Sequence, residues 1–264
     1  MNFGDYKSYA FSRSGRILTV TMNRPATLNA MDQSMHEETS RLFYDVAMDP
    51  ESEVIILTGA GRAFSAGGDI AGMQEMLDNP ALFDVSIREA KKVIFGILDC
   101  EKPIICKMNG DAVGLGATMA LFCDVIFAAD HARIGDPHVR VALSAGDGGA
   151  VIWPQLIGFA RAKEYLMTGD LINAKDAAAM GLINHAVPAA ELDAKVDAFA
   201  SRLEKGALKS IRWTKVSMNV ALKQLAHTMM DTCMAYEALS NRTNDHVEAV
   251  KAFTEKRRPV FDGT

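Results

Sequence analysis

The sequence predicts an α/β protein with a helical C-terminal region, and three observations support this fold class. Strand-like and helix-like segments alternate through the first half of the chain, which favours parallel strands joined by crossover helices. Residues 54–58 form an unbroken run of Val, Ile, Leu and Thr, typical of a strand buried on both faces. From about Ala189 the pattern is almost wholly helical, with Lys, Glu and Ala interleaved among apolar positions.

The first elements are a strand, a turn and a helix. Residues 17–21 are rich in β-branched side chains and predict a strand, and the sequence at 23–25 predicts the turn that follows it. Asp32 has the short carboxylate side chain that caps helix N-termini, so we expect a helix from there to about Ala47.

The next elements alternate in the same way around two glycine-bearing loops. Each loop, at 59–68 and at 109–116, follows a predicted strand and opens a predicted helix. Pro103 restricts its neighbour to extended backbone and marks the start of a strand. In chain order the predicted elements are the strand 54–58, a helix from Asp69 or Ile70, the helix 85–100, the strand 104–108, a short helix near 117–121 and the strand 124–129.

Composition and charge exclude several classes of function. The chain has 264 residues, 49% of them hydrophobic, which is enough for a sizeable core in one or two domains. A formal net charge of −5 gives no reason to expect nucleic acid or an anionic membrane as a partner. No apolar run is long enough to span a bilayer, and the first residues lack the apolar segment of a secretory signal.

The cysteines point to a reducing compartment. Cys100, Cys106, Cys123 and Cys233 are scattered without the spacing of a metal site or of a disulfide framework. We therefore expect reduced core thiols in a cytoplasmic protein, and we expect no metal site.

The two glycine loops have the features of an anion-binding site. The first amides of a helix have no partner within the helix, and the helix dipole favours negative charge there. Two such loops can direct two N–H groups at one carbonyl oxygen, which is an oxyanion hole. A single loop of this kind is more simply a tight connection between a strand and a helix. Neither loop has the Gly-Lys-Ser/Thr ending of a phosphate-binding loop.

Four segments carry motifs that occur together in one known family. They are residues 23–31, residues 61–70, residues 109–116 with Cys123 and Asp124, and residues 255–261. Together they resemble the crotonase (enoyl-CoA hydratase/isomerase) superfamily over nearly the whole chain. The resemblance implies a crotonase-like spiral of repeated ββα units over residues 1–195. It also implies a C-terminal helical trimerisation region over 196–264, in a homotrimer or a hexamer built as a dimer of trimers.

The same resemblance implies where a substrate binds. The backbone N–H groups of Gly68 and Leu115 would form the oxyanion hole for a substrate carbonyl, typically that of a CoA thioester. CoA is then part of the substrate, and no separate cofactor is expected. The residues at positions implied to contact CoA are Arg24, Ala66, Asp69, Ile70, Phe253 and Lys256, the last two in the tail that often reaches a neighbouring subunit's nucleotide. The residues expected to line the acyl pocket are Met73, Met76, Leu77, Leu115, Thr118 and Trp153.

The catalytic carboxylates of an ordinary hydratase are missing. Hydration of an enoyl thioester needs one group to activate water and another to protonate the α-carbon. Thr118 and His138 stand where the hydratases of this family have two glutamates. His138 can act as a base near neutral pH, and a carboxylate such as Asp147 can orient it. Glu237, in the predicted helical tail, is a further candidate by resemblance.

A more local resemblance suggests the reaction. The run from Pro137 to Pro154 is similar to that of the crotonase-type β-diketone hydrolases, of which 6-oxocamphor hydrolase is the type. It implies C–C bond hydrolysis of a 1,3-dicarbonyl, free or as a CoA thioester, in which His138, with Asp147 or Glu237, activates water. Two alternatives stay open. One is an enoyl-CoA hydratase/isomerase with rearranged acid and base groups, and the other is a catalytically silent CoA-binding protein.

Overall fold

The computed structural model describes residues 3–264, and these form two sheets. The strands in chain order are β1 (Tyr9–Ser14), β2 (Ile17–Met22), β3 (Val54–Gly59), β4 (Ile104–Met108), β5 (Ala112–Val113), β6 (Val125–Ala129), β7 (Arg133–Gly135), β8 (Ile172–Asn173) and β9 (His185–Val187). The larger sheet has the order β1-β2-β3-β4-β6-β9, and only its β1–β2 pair is antiparallel. The smaller sheet has the order β5-β7-β8.

Helices connect these strands and form the C-terminal third of the chain. They are α1 (Gln33–Met48), α2 (Ile70–Asp78), α3 (Pro80–Asp99), α4 (Leu115–Phe122), α5 (Gly149–Thr168), α6 (Ala174–Ala179), α7 (Leu192–Glu204), α8 (Leu208–Ser240) and α9 (Asn244–Thr254). Short 3-10 turns lie at Phe3–Asp5, Pro25–Thr27, His138–Val141 and Ala189–Glu191. The mixed α/β class with a helical tail is therefore confirmed.

The centre of the larger sheet is buried on both faces. All six residues of β3 are buried, as the apolar run predicted. β3 pairs in parallel with β2 on one side and with β4 on the other. Apolar side chains of α1 and α3 join those of β3 in one core cluster, while α7 packs against the sheet.

The predicted helix starts are confirmed by their capping bonds. The Asp32 side chain accepts a hydrogen bond of 2.9 Å from the Met35 N–H and so begins α1. Asp69 does the same for α2, where the N–H of Gly72 donates to Asp69 Oδ2 at 3.3 Å. Both caps stand next to segments that line the cavity described below.

Two parts of the fold differ from the prediction. α3 begins at Pro80, earlier than the expected start at 85, because proline at the first helical position loses no intrahelical bond. β1 was not predicted, since it is a partly exposed edge strand with mixed polar and apolar residues. β1 is held in its extended conformation by antiparallel pairing with β2 along its whole length.

The division of the chain at 195/196 stays a prediction. Helix α7 crosses that position and packs against β2, β3, β4 and β6. Helices α8 and α9 pack against the same chain, α8 on α3 and α5, and α9 on α2 and the turn His138–Val141. Within residues 3–264, no helix has the length and apolar character needed to cross a membrane.

The docking of α9 predicts a pH-dependent stability. His246 is fully buried, and its Nδ1–H donates to the carbonyl of Val141 at 2.7 Å. Burial lowers the pKa of His246, so the folded state resists a proton that the unfolded chain accepts near pH 6.5. Stability is therefore lost as pH falls below that value. Urea unfolding at pH 7.5 and 5.5 should show a smaller loss in His246→Asn, which keeps a donor but does not titrate. An equal loss in both proteins would contradict this assignment.

Candidate active site

The two glycine loops lie against each other. A bridge joins Ser65 to Ala112, and the Val113 N–H donates to the Ser65 carbonyl at 2.9 Å. The contact requires glycine at position 67, where φ is +82° and a Cβ would lie 2.7 Å from the Val113 oxygen. The end of the first loop is thus fixed beside the start of α4.

The backbone amides of Leu115 and Gly68 are among those at this junction that have no acceptor within residues 3–264. Leu115 is the first residue of α4, and its N–H is outside the helical ladder. Gly68 is left out because Met31 bonds the residues on either side of it, donating to Gly67 and accepting from Asp69. Gly68 and Leu115 line one cavity, called here the main cavity. Both amides are available to an oxyanion in it.

The main cavity has apolar walls rich in methionine. Met73 and Met76 line it, as expected, together with Met31 and Met234. Methionine adapts to ligands of irregular shape. Three other residues predicted for the acyl pocket, Leu77, Thr118 and Trp153, lie outside this lining in the described part of the chain.

Local packing accounts for the positions of Trp153 and Thr118. Trp153 is fully buried in the core beside Tyr165, because α5 turns that face toward the protein interior. Thr118 is also fully buried, and its hydroxyl donates to Asp147 Oδ1 at 3.1 Å. Thr118 thus contacts a lining residue rather than the cavity.

His138 lies between two carboxylates. Its Nδ1 makes a short hydrogen bond with Asp136 Oδ1, and its Nε2 is 3.6 Å from Asp147 Oδ2. The nearer partner, Asp136, was not among the predicted residues. The available signal was the Asp-Pro-His sequence, because an aspartate at a turn often bonds the backbone two residues on. Here the His138 N–H donates to Asp136 Oδ1 at 3.4 Å.

Two glycines allow the carboxylates to approach. A Cβ at Gly149 would lie 2.1 Å from Asp136 Oδ2, and a Cβ at Gly146 would lie 2.6 Å from Glu237 Oε2. Glu237 is buried on α8 and lines the main cavity, rather than being an exposed charge of an amphipathic helix. Its Oε2 has no hydrogen-bond partner in the described part of the chain.

The cluster of Asp136, His138, Asp147 and Glu237, called here the acid cluster, has strongly perturbed proton affinities. Burial alone would lower the pKa of His138, but the carboxylates around it more than offset this and raise it well above its usual range. Burial raises the pKa of Asp147, against the effect of the nearby imidazolium. Burial and the neighbouring carboxylates raise the pKa of Glu237 to about 8. Near neutral pH the cluster therefore contains an imidazolium at His138 and a protonated Glu237.

Such an arrangement offers an acid and a base in one cavity. Groups whose environments separate their pKa values are the usual acid and base pairs of active sites.

Asp136, His138 and Asp147 also bring ligand atoms within 4.8 Å of one another, a spacing compatible with a metal ion. The Nδ1 of His138 is already hydrogen-bonded to Asp136, so Nδ1 could bind a metal ion only by giving up that hydrogen bond.

The positions expected to contact CoA divide into two groups. Ala66 and Ile70 line a second groove, which shares Gly68, Met73 and His138 with the main cavity. Asp69 lines the main cavity while its side chain caps α2. Arg24 pairs with Asp32 at 2.5 Å, and Phe253 and Lys256, which are exposed in and just after the last turn of α9, lie outside both linings.

Comparison with known proteins matches the family described as enoyl-CoA hydratase/isomerase over residues 12–264. The chain is 34% identical to crotonyl-CoA hydratase of Syntrophomonas wolfei, over 97% of this chain and 98% of that protein. It is similar in structure to an enoyl-CoA hydratase/isomerase from Mycobacterium paratuberculosis, with a TM-score of 0.89, 33% identity, and coverage of 92% and 97%.

A β-diketone hydrolase is also among the similar structures. The enzyme from Anabaena, bound to (S)-3-oxocyclohexyl acetic acid, has a TM-score of 0.84 and 29% identity to this chain. The match covers 90% of this chain and 96% of that one.

Proposed function

The chain belongs to the enoyl-CoA hydratase/isomerase family, the crotonase superfamily, and we propose that it adds water to a 2-enoyl-CoA thioester with relocated acid and base groups. The observation that carries the proposal is the pair of buried carboxyl groups, Asp147 and Glu237, in the cavity that contains the two unpaired amides. The curated relative at 34% identity is named a crotonyl-CoA hydratase, which favours the same reaction. The missing glutamates of an ordinary hydratase are then replaced from other elements of the fold.

In the proposed reaction Asp147 is the base, Glu237 is the acid, and the amides of Gly68 and Leu115 hold the enolate oxygen. Asp147 takes a proton from water, whose oxygen bonds to the β-carbon of the enoyl thioester. The electrons of the double bond move toward the carbonyl and give an enolate, whose oxygen accepts hydrogen bonds from the N–H groups of Gly68 and Leu115. Glu237 donates its proton to the α-carbon, and the proton on Asp147 returns to Glu237 through the acid cluster.

This mechanism changes the role expected for His138. The sequence predicts His138 as the base that activates water, but its raised pKa leaves it protonated near neutral pH. We assign it instead the positive charge that keeps Asp147 ionised in a buried site. Thr118 contributes through its hydrogen bond to the same carboxylate.

The role of Glu237 predicts a pH profile. Because its pKa is about 8, the proton donor is lost as pH rises through that value, and kcat should fall on the alkaline side. Glu237→Gln has the shape of the neutral acid but cannot give up a proton in this way. We expect a rate lower by about a hundredfold and no alkaline limb near pH 8. Initial rates with crotonyl-CoA between pH 6 and about 9.5 measure both, and an unchanged limb would remove Glu237 from the mechanism.

A second candidate is C–C bond hydrolysis of a 1,3-diketone. It is favoured by the His138–Asp147 pairing at 3.6 Å and by the similarity to the Anabaena hydrolase. Water would attack one carbonyl carbon, and the bond from that carbon to the carbon between the two carbonyls would break. The oxyanion hole would hold the enolate of the other carbonyl before its protonation. Both candidates share the enolate, so they differ in substrate and not in the binding of the developing charge.

One experiment separates the candidates. The same preparation is supplied with crotonyl-CoA and with cyclic 1,3-diketones, and the products are analysed by mass spectrometry in heavy-oxygen water. A 3-hydroxyacyl-CoA product supports the hydratase, whereas a ring-opened keto acid carrying the label in its carboxylate supports the hydrolase. Binding of CoA thioesters without any turnover would support a silent protein. The homotrimer or hexamer stays a proposal, which light scattering of the same preparation tests.

A further inference from the structure

A second histidine–carboxylate pair lies in the wall of the main cavity. His36, on α1, places Nδ1 2.6 Å from Glu89 Oε2, on α3. Both side chains are buried, at 9% and 7% exposure. His36 and the neighbouring Ser86 line the main cavity, and neither takes part in the mechanism above.

The setting of this pair is otherwise apolar. The side chains of α3 that line the same wall are Phe83, Ile87 and Ala90. A buried ion pair is often no more stabilising than apolar residues of similar volume, so stability alone gives little reason for one here. A polar pair in an apolar cavity wall is better explained by contact with a polar part of the ligand.

The hydrogen bonds define what the pair can recognise. The carboxylate of Glu89 only accepts, so Nδ1 of His36 carries the proton and Nε2 is the remaining nitrogen. The nearest group to Nε2 is the Ser86 hydroxyl at 3.5 Å, which is the outer limit of a hydrogen bond. Both atoms therefore retain capacity for a ligand. A ligand hydroxyl satisfies both atoms in either protonation state of the imidazole. It can donate to a bare Nε2 and accept from the Ser86 hydroxyl, or accept from Nε2–H and donate to the Ser86 oxygen.

The charge of the cavity favours a neutral ligand group. Glu89, Asp147 and Glu237 all contribute carboxyl groups to the surroundings, with Asp136 just behind them, and they outnumber the imidazolium of His138. A ligand carboxylate would add negative charge to a site that already forces Glu237 to stay protonated up to about pH 8.

We propose that His36 and Ser86 select acyl groups that carry a hydroxyl group beyond the reacting carbons, making the substrate a hydroxyl-bearing acyl-CoA rather than a plain fatty acyl-CoA. The inference rests on the proposed function, since it assumes that the thioester lies at Gly68 and Leu115. The pair is joined to that end of the cavity through the start of α1. The His36 N–H donates to the Asp32 carbonyl at 2.9 Å, and Met31 bonds the oxyanion loop.

Binding of unreactive, saturated thioesters tests this without relying on turnover. Calorimetry compares hexanoyl-CoA with hexanoyl-CoA derivatives that carry a hydroxyl at successive distal carbons, and with an analogue that ends in a carboxylate. For at least one position we expect the hydroxyl to improve affinity by about fivefold to tenfold, the value of one or two hydrogen bonds. Tighter binding of the carboxylate than of every hydroxyl derivative would overturn the assignment.

Two variants identify the residues responsible. His36→Leu alone would leave Glu89 buried without a partner, so the double replacement His36→Leu with Glu89→Met is used to keep the wall apolar and filled. Ser86→Ala is the milder change if that double variant fails to fold. Both variants should lose the preference for the hydroxyl derivative and keep the affinity for hexanoyl-CoA. An undiminished preference in Ser86→Ala and in the double variant would refute the proposal.

The unmodified protein separates this inference from the proposed function. If it binds no CoA thioester, both the proposed function and this inference fail. If it binds all the thioesters equally, only this inference fails.

Discussion

Replacement of His138 by alanine is expected to reduce the turnover of a 2-enoyl-CoA thioester by about 10²–10⁴-fold, the range typical of a lost acid–base function. The cause is electrostatic. His138 is the cationic member of the acid cluster, in contact with Asp136 and 3.6 Å from Asp147. Without it, a buried Asp147 has no nearby positive charge to favour ionisation, and the protonated acid cannot accept a proton from water.

The pH dependence of the His138 variant distinguishes this role from a structural one. Loss of the cation raises the pKa of Asp147 further, so the base becomes available only at higher pH. The residual activity of His138→Ala should therefore rise with pH over a range in which the unmodified protein is already fully active. His138→Gln, which keeps a hydrogen-bonding side chain without the charge, should behave in the same way. Rates near those of the unmodified protein, or an unshifted profile, would contradict the assignment.

The measurement needs a control for folding. Butyryl-CoA is saturated and cannot be hydrated, so its binding reports on the cavity and the oxyanion loops alone. Similar dissociation constants for the unmodified and variant proteins would show that the loss lies in the chemistry. A lost binding signal together with a lowered unfolding temperature would instead indicate that the buried carboxylates disrupt the fold once His138 is removed.

The local rules of the sequence were sufficient for much of the fold. The Asp32 and Asp69 caps, the buried strand β3 and the helical tail all follow from side-chain chemistry within a few residues. Elements that depend on distant partners were not predictable in this way. Edge strand β1 is ordered by pairing with β2, and the two-residue strands of the smaller sheet exist only through contacts between separate segments.

The candidate site shows the same limit. Motifs pointed to Gly68, Leu115, His138 and Asp147. Predicting Asp136 as a partner of His138 would have required knowing which imidazole nitrogen faces it, and the sequence does not give that orientation. Trp153 shows the same dependence, since a residue near the site in sequence is buried in the core. Depth and orientation depend on packing between elements, and spacing along the chain does not encode them.

His36 and Glu89 were missed for a related reason. The two residues are on different helices, and neither belongs to a motif that spacing can detect. Their importance follows only from the 2.6 Å contact and from their place in the cavity wall. The helix packing of α1 against α3 is what creates the pair.

Replacement of Gly68 by proline is expected to lower kcat by about 10²–10³-fold, the usual consequence of removing one oxyanion donor. Proline has no N–H, whereas the Gly68 N–H lines the main cavity and finds no acceptor among residues 3–264. The preceding residue is Gly67, which already has φ of +82° and tolerates conformations that other residues before proline do not.

Gly68→Ala is the matched control, because it adds atoms at the same position and keeps the N–H. A Cβ there meets only the Cε of Met73, at 3.0 Å, which is the end of a flexible side chain. Initial rates with crotonyl-CoA should fall far less in the alanine variant than in the proline variant. Since the donor acts most strongly on the developing enolate, the proline variant should lose kcat while butyryl-CoA binding changes much less. Equal rates in the two variants would mean that the substrate carbonyl does not lie at Gly68, and the oxyanion hole would then have to be sought at Leu115 with another donor.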